Sequence, residues 1–108
     1  MAVFYIKRND TSPALQVTLK DGDGVAVNVT GATVVFHMVD SVTRAVKVNA
    51  AATIVTAASG IVKYSWAAAD TNAEGTFEAE FQVTFASGLV ETYPNGEHIT
   101  VRVTKDLA

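Results

Sequence analysis

The sequence predicts an all-β chain folded as an antiparallel β-sandwich of about seven to nine short strands. Three observations carry that expectation. Apolar residues recur with period two in run after run. Turn signals built on Gly, Asp, Asn and Pro separate those runs at about ten-residue spacing. Val and Thr, which suit a pleated and half-buried surface, are plentiful throughout. The 108 residues fit one domain, 1–108, long enough to bury a core without staples.

The strands follow in order along the chain. Phe4-Tyr5-Ile6 is apolar at successive positions, which suits a strand covered on both faces, either inside the domain or against a partner. Leu15, Val17 and Leu19 alternate with Gln16, Thr18 and Lys20; Val25, Val27 and Val29 form a shorter run of the same kind. Ala32, Val34, Phe36 and Met38 share one face, with Thr33, Val35, His37 and Val39 opposite. Residues 44–58 are compatible with two strands placed around Asn49-Ala50-Ala51. Val62, Tyr64 and Trp66 alternate with Lys63 and Ser65. Ala67 to Ala73 is too rich in Ala for a strand, and a short helical turn near 67–73 is expected to cross between the sheets. In Thr76–Phe85 the residues Phe77, Ala79, Phe81, Val83 and Phe85 face one way, against Glu78, Glu80, Gln82 and Thr84. Ile99, Val101 and Val103 close the series. Turns are expected at Asp21–Gly24, Thr30-Gly31, Ser59-Gly60, Glu74-Gly75, Ser87-Gly88 and Pro94-Asn95-Gly96.

Composition narrows the function classes. Apolar residues make up 49% and charged ones 18%, the balance of a globular chain. The net charge of −3 with no basic run argues against a nucleic-acid partner, whose phosphates would call for a basic face. No apolar run approaches the ~20 residues that span a bilayer, and the N-terminus lacks the pattern of a signal peptide. Neither a membrane partner nor a cofactor is expected. Without Cys there is no thiolate ligand or Cys nucleophile. Two glycosylation sequons, at Asn9 and Asn28, are read as chance in a Thr-rich chain.

The stretch Lys20-Asp-Gly-Asp-Gly-Val-Ala-Val27 invites a metal or phosphate reading. An EF-hand loop needs oxygen ligands at positions 1, 3 and 5, Gly at 6 and Glu at 12. Counted from Asp21, those later places fall on Val25, Ala26 and Ala32. A phosphate loop leads into a helix, whereas this one leads into Val25-Ala26-Val27. A hairpin turn, with Asp-Gly supplying positive φ angles, accounts for the residues. His37 and His98 sit on polar strand faces and have no second ligand at i+2. Glu78 and Glu80 lie on one strand face, where a solvated surface is a commoner outcome than acid–base chemistry. No Gly-x-Ser-x-Gly elbow occurs. Catalytic, metal-binding and cofactor-binding residues are therefore not expected. Phe4, Tyr5, Ile6 and Tyr93 are the interface candidates, Tyr93 as the loop-placed aromatic able to stack on a sugar.

An ordered set of segments resembles a known family. It runs through Asn9-Asp10-Thr-Ser-Pro13-Ala-Leu15, Leu19 to Gly24, Val29-Thr-Gly31-Ala-Thr-Val-Val-Phe36 and Gly60 to Trp66. It continues with Ala69-Asp70-Thr71, Glu74-Gly75-Thr-Phe77-Glu-Ala-Glu-Phe81 and Thr92-Tyr-Pro94. Together these resemble the N-terminal domain of upper baseplate proteins of tailed bacteriophages, found also in phage minor tail proteins. The resemblance covers roughly residues 5 to 104. It makes Asp10, Pro13, Gly31, Phe36, Trp66, Asp70, Gly75, Phe77, Phe81 and Pro94 scaffold positions, with Asp70 capping the connection after Trp66. It implies an immunoglobulin-like sandwich and a non-enzymatic virion protein, made in the bacterial cytoplasm, that docks on a tail hub or on neighbouring copies. A homo-oligomer or a place in a symmetric assembly is the matching expectation. The chain carries no coiled-coil arm of the kind that family uses to hold a receptor-binding protein. It is therefore expected to be either a complete small tail, neck or head component or an excised domain. A carbohydrate- or host-surface-binding module is the alternative.

Overall fold

The computed structural model describes residues 3–94, 96 and 98–107. Nine strands form two sheets: β1 (Val3–Lys7), β2 (Leu15–Thr18), β3 (Thr33–Asp40), β4 (Val46–Ala51), β5 (Thr53–Thr56), β6 (Ile61–Tyr64), β7 (Gly75–Thr84), β8 (Val90–Tyr93) and β9 (Ile99–Thr104). The large sheet runs β1-β9-β7-β3-β4, with β8 also on β7; the small sheet runs β2-β6-β5. This is an immunoglobulin-like arrangement in which the small sheet has three strands. All described pairings are antiparallel except β1 with β9, which is parallel.

Period two sets the inner faces. Phe77, Ala79, Phe81 and Val83 of β7 are buried, as are Val34, Phe36 and Met38 of β3 and Ile99, Val101 and Val103 of β9. The small sheet contributes Leu15, Val62 and Tyr64, with Trp66 just beyond β6. The aromatic rings meet at the centre. Phe36 stacks on Tyr64 at 4.4 Å between centroids, takes the edge of Trp66 at 5.7 Å and packs obliquely on Phe81 at 5.1 Å. Such pairs add about 0.5–1.5 kcal/mol each beyond their burial.

The connections follow the turn chemistry with some differences. The Asp21–Gly24 turn is closed by the Lys20–Ala26 bridge and by Asp21 Oδ1, which accepts the N–H groups of Asp23 and Val25. Only its second glycine, Gly24, has a positive φ, +80°. That is a three-residue hairpin loop ending in a left-handed residue. Val25, Val27 and Val29 do not form a strand. Past the bridge the chain is held singly, by Val27 N–H on Leu19 O and Val29 N–H on Ala57 O. Residues 44–58 do form two strands, but the break falls at Ala52, whose N–H reaches back to Val34 O. A 3-10 turn at Ala57–Ser59 was not legible in the sequence. The expected helical turn is a 3-10 turn at Ala68–Thr71. Gly75 begins β7, paired with Val103, rather than standing in the turn before it. Asn95 of the expected Pro94–Gly96 turn, like Met1 and Ala2, lies outside the described residues.

Gly60 is the tightest point. Its φ is +68°, and a Cβ there would lie 2.4 Å from Val27 O and 3.0 Å from Leu19 O. Both neighbours are backbone atoms of the segment that the turn returns. Gly60→Ala is expected to destabilise the chain beyond the roughly 1–2 kcal/mol of a left-handed backbone alone, because Val27 or β2 must move. Urea unfolding checks this. An equal loss for Gly24→Ala, which meets nothing within 4 Å, would show that backbone conformation and not the clash sets the cost.

Candidate functional site

Two surface features stand out, one polar and one apolar. The polar one lies on the outer face of the large sheet, where the side chains of β7 alternate away from the core. β8 and β9 both pair with the same edge of β7: Tyr93 lies opposite Phe81 and Ile99 opposite Ala79. Of β7, only Glu80 lies between these two pairs. His98, immediately before β9, lies over β7, its Nε2 3.8 Å from Glu78 Oε2. Arg44 reaches the other Glu78 oxygen at 2.6 Å, and His37, opposite Glu80 in the ladder, lies 3.4 Å from it. The arginine is aimed by its own turn. Asp40 Oδ1 accepts the N–H groups of Val42 and Thr43, and Arg44 takes a left-handed φ of +65°. Those two backbone donors hold the Asp40 carboxyl below the usual carboxylate range. The Arg44 guanidinium likewise lowers Glu78, against the opposing effect of desolvation.

The two carboxylates are thus neighbours on one strand, each met by a cationic or titratable partner from another. Among the described residues no group of three His, Cys, Asp or Glu is placed to hold a metal ion. Sequence spacing missed this cluster because its pairs are made across strands, between residues 34 or more positions apart for Arg44–Glu78 and 43 for His37–Glu80.

The apolar feature is a cleft of about 380 Å³ between the end of β2 and the residues where β8 ends and β9 begins. Val17, Leu19, Phe81, Tyr93 and Ile99 supply its apolar lining, with Lys20 and Asp21 on the rim.

The interface candidates separate on inspection. Ile6 is buried in the core and Phe4 is half-buried, stacked on Trp66 at 5.8 Å. Within the domain their strand is therefore covered on one face only. Val3 and Tyr5 point outward, Tyr5 65% exposed. Tyr93 is not a loop aromatic. It belongs to β8, is 2% exposed, and its hydroxyl donates to the Glu91 carboxylate. It is a core residue beside the cleft, with no face free to stack on a sugar. Sequence reasoning misplaced it because Pro94 and Gly96 drew the turn one residue too early.

The scaffold positions take up structural duties. Phe36, Phe77, Phe81 and Trp66 are core. Asp70 Oδ2 accepts Ala67 N–H at 2.8 Å and the Tyr64 hydroxyl at 2.6 Å, capping the 3-10 turn. Asp10 O accepts the hydroxyl of Thr71, the one buried polar residue among those described. Gly31 has φ +77° ahead of β3. Pro13 and Pro94 follow cis peptide bonds, in the crossing to β2 and just past β8.

The fold defines an immunoglobulin-like scaffold, with the Glu78 and Glu80 carboxylates of its large sheet met by side chains from other parts of the chain. Residues 4–93 match the BppU N-terminal domain, and the chain belongs to that family, the N-terminal domain of the phage baseplate upper protein. It is a phage baseplate structural domain, and so a virion component that meets other phage structural proteins. Among solved structures, CopC from Methylosinus trichosporium OB3b is similar, with a TM-score of 0.51 at 17% identity over 100% of this chain and 91% of that one. Identity that low speaks to the fold alone. No curated protein matches the chain in sequence.

Burial, then the Glu91 carboxylate, pushes the Tyr93 hydroxyl up to about 12. Burial and Asp70 raise Tyr64 as well. Unfolded tyrosines ionise near pH 10. The unfolded chain therefore loses these protons first, and stability falls as pH rises from about 10 through about 12. Below pH 10 the contribution is complete. Melting temperatures across this alkaline range should fall less steeply for Tyr93→Phe than for the parent chain; parallel curves would assign the loss to other groups.

Proposed function

We propose that the chain is a non-enzymatic docking module of the baseplate, seated on the tail hub or on neighbouring copies through the outward side of β1. One observation supports this reading most directly. β1 turns Val3 and Tyr5 outward, 45% and 65% exposed, onto a face continued by Thr100 and Arg102 of β9. Tyr5 is the only aromatic ring more than half exposed among the described residues. An exposed Tyr beside an Arg is the pairing that protein interfaces favour at their centres. The polar cluster farther across the same sheet supports the same role. Its Glu78 carboxylate is already paired with Arg44, which lowers the cost of burying that part of the face. The carbohydrate-binding alternative rested on Tyr93, which lies in the core.

Tyr5→Asp tests the reading, since an exposed position tolerates substitution within about ±0.5 kcal/mol. The variant is expected to keep its melting temperature and to lose incorporation into particles, followed by immunogold labelling. Purified particles that never carry the label, even with the parent chain, would overturn the proposal. Normal incorporation of the variant would move the contact away from β1.

A further inference from the structure

The small sheet has an open edge, and its backbone parity can be deduced. Leu19 N–H donates to Gly60 O, in register with the Leu15–Tyr64 and Val17–Val62 pairs. In an antiparallel ladder, alternate residues turn their N–H and C=O groups to the same side. Leu15, Val17 and Leu19 thus face β6, and Gln16 and Thr18 present theirs to the opposite side. Among the described residues no strand pairs there. In a four-stranded immunoglobulin sheet this is where the first strand lies. Here the first strand is paired with β9 in the other sheet instead.

The open edge borders the apolar cleft. A strand laid beside β2 would turn alternate side chains inward, toward the mouth of the cleft beside Val17, Leu19 and Ile99. The surroundings also carry a charge preference. Asp21 stands on the rim, Asp23 two residues on in the same turn, and Glu91 beside Tyr93. None of the three has an ion-pair partner among the described residues. Against them stands Lys20. We infer that β2 accepts an extended segment of another protein, apolar at alternate positions and bearing Lys or Arg between them, as a fourth strand of the small sheet. This surface is distinct from the face of Tyr5. It rests on the docking reading only in that the donor would be another virion protein.

The test uses the isotope-labelled chain and synthetic peptides, so it reads the surface whatever the particle experiments show. Three extended peptides alternate Val with Lys, with Glu or with Ser. The Val/Lys peptide is expected to slow hydrogen exchange at the amides of Gln16 and Thr18 and to shift the resonances of Val17 and Leu19. It should bind about fivefold more tightly than the Val/Glu peptide, and Glu91→Gln with Asp21→Asn should narrow that gap. Thr18→Pro removes an outward N–H from an edge strand and leaves the β6 ladder intact. It should keep the native spectrum and abolish binding. Several outcomes would overturn the inference: no shifts with any peptide, protection at Val90 and Thr92 of β8 instead, equal binding of the Lys and Glu peptides, or undiminished binding to a folded Thr18→Pro variant. Protection of Gln16 and Thr18 that grows with protein concentration alone would assign the edge to a second copy and overturn it too.

Discussion

The stack of Phe36 on Tyr64 is the contact on which the rest of the structure depends. It joins the two sheets at their centre, one ring from β3 and one from β6, 4.4 Å apart and 13° from parallel. A tyrosine in that place brings a hydroxyl that must find a partner when buried. Asp70 takes it, and the same carboxylate oxygen takes the N–H of Ala67. The turn at Ala68–Thr71 is thereby fixed against the core. Thr71 then holds the crossing from β1 to β2, donating its hydroxyl to Asp10 O and accepting Asn9 N–H at its carbonyl. A chain of contacts thus runs from the aromatic core to the place where the first strand leaves the large sheet.

That placement decides the outline of the molecule. With residues 8–14 tied to the Thr71 turn, β1 stays beside β9 in parallel, Ile6 inward and Tyr5 outward. Lys7 Nζ on Lys105 O and the Arg8–Asp106 pair hold the end of β1 to the segment after β9. Exposed pairs of this kind contribute little stability, but they add direction to a strand already set by its ladder. The consequence is asymmetry. The large sheet gains a strand with an outward apolar face, and the small sheet is left with a short open edge. The outward face of β1 and the open edge of β2 are both products of where one five-residue strand pairs.

What the sequence showed and what it hid divide along the range of the interactions. Faces were legible, because a strand's period is local: the alternation from Phe77 to Val83 is the burial pattern of β7. The hairpin at Asp21–Gly24 was legible for the same reason, its bonds spanning four residues. Pairing across strands was not. Nothing local announces that Arg44 will meet Glu78, or that His98 will lie over β7. Nor does local pattern show which run finds a partner. Val25, Val27 and Val29 alternate as well as any strand, yet the chain there is committed to Leu19 O and Ala57 O and has no neighbour to form a ladder with. Tyr93 failed for a related reason. Its neighbours read as a turn, but its pairing with Phe81 puts it on the inner face.

The carboxylates of β7 show how the chain meets its own like charges on one sheet face. Two like charges side by side on one strand repel, and an unpaired pair would resist burial under a partner. Arg44, His37 and His98 come from a turn, a facing strand and the residue before β9, three places far apart in sequence. Arg44 is presented from a left-handed backbone, and His98 from the end of the break between the β8 and β9 pairings with β7. Packing of the core explains neither placement, since Arg44 and His98 lie outside it. What they share is Glu78: Arg44 meets one of its carboxylate oxygens and His98 lies beside the other. A carboxylate met in this way from other parts of the chain costs less to bury than a bare one beside its Glu80 neighbour.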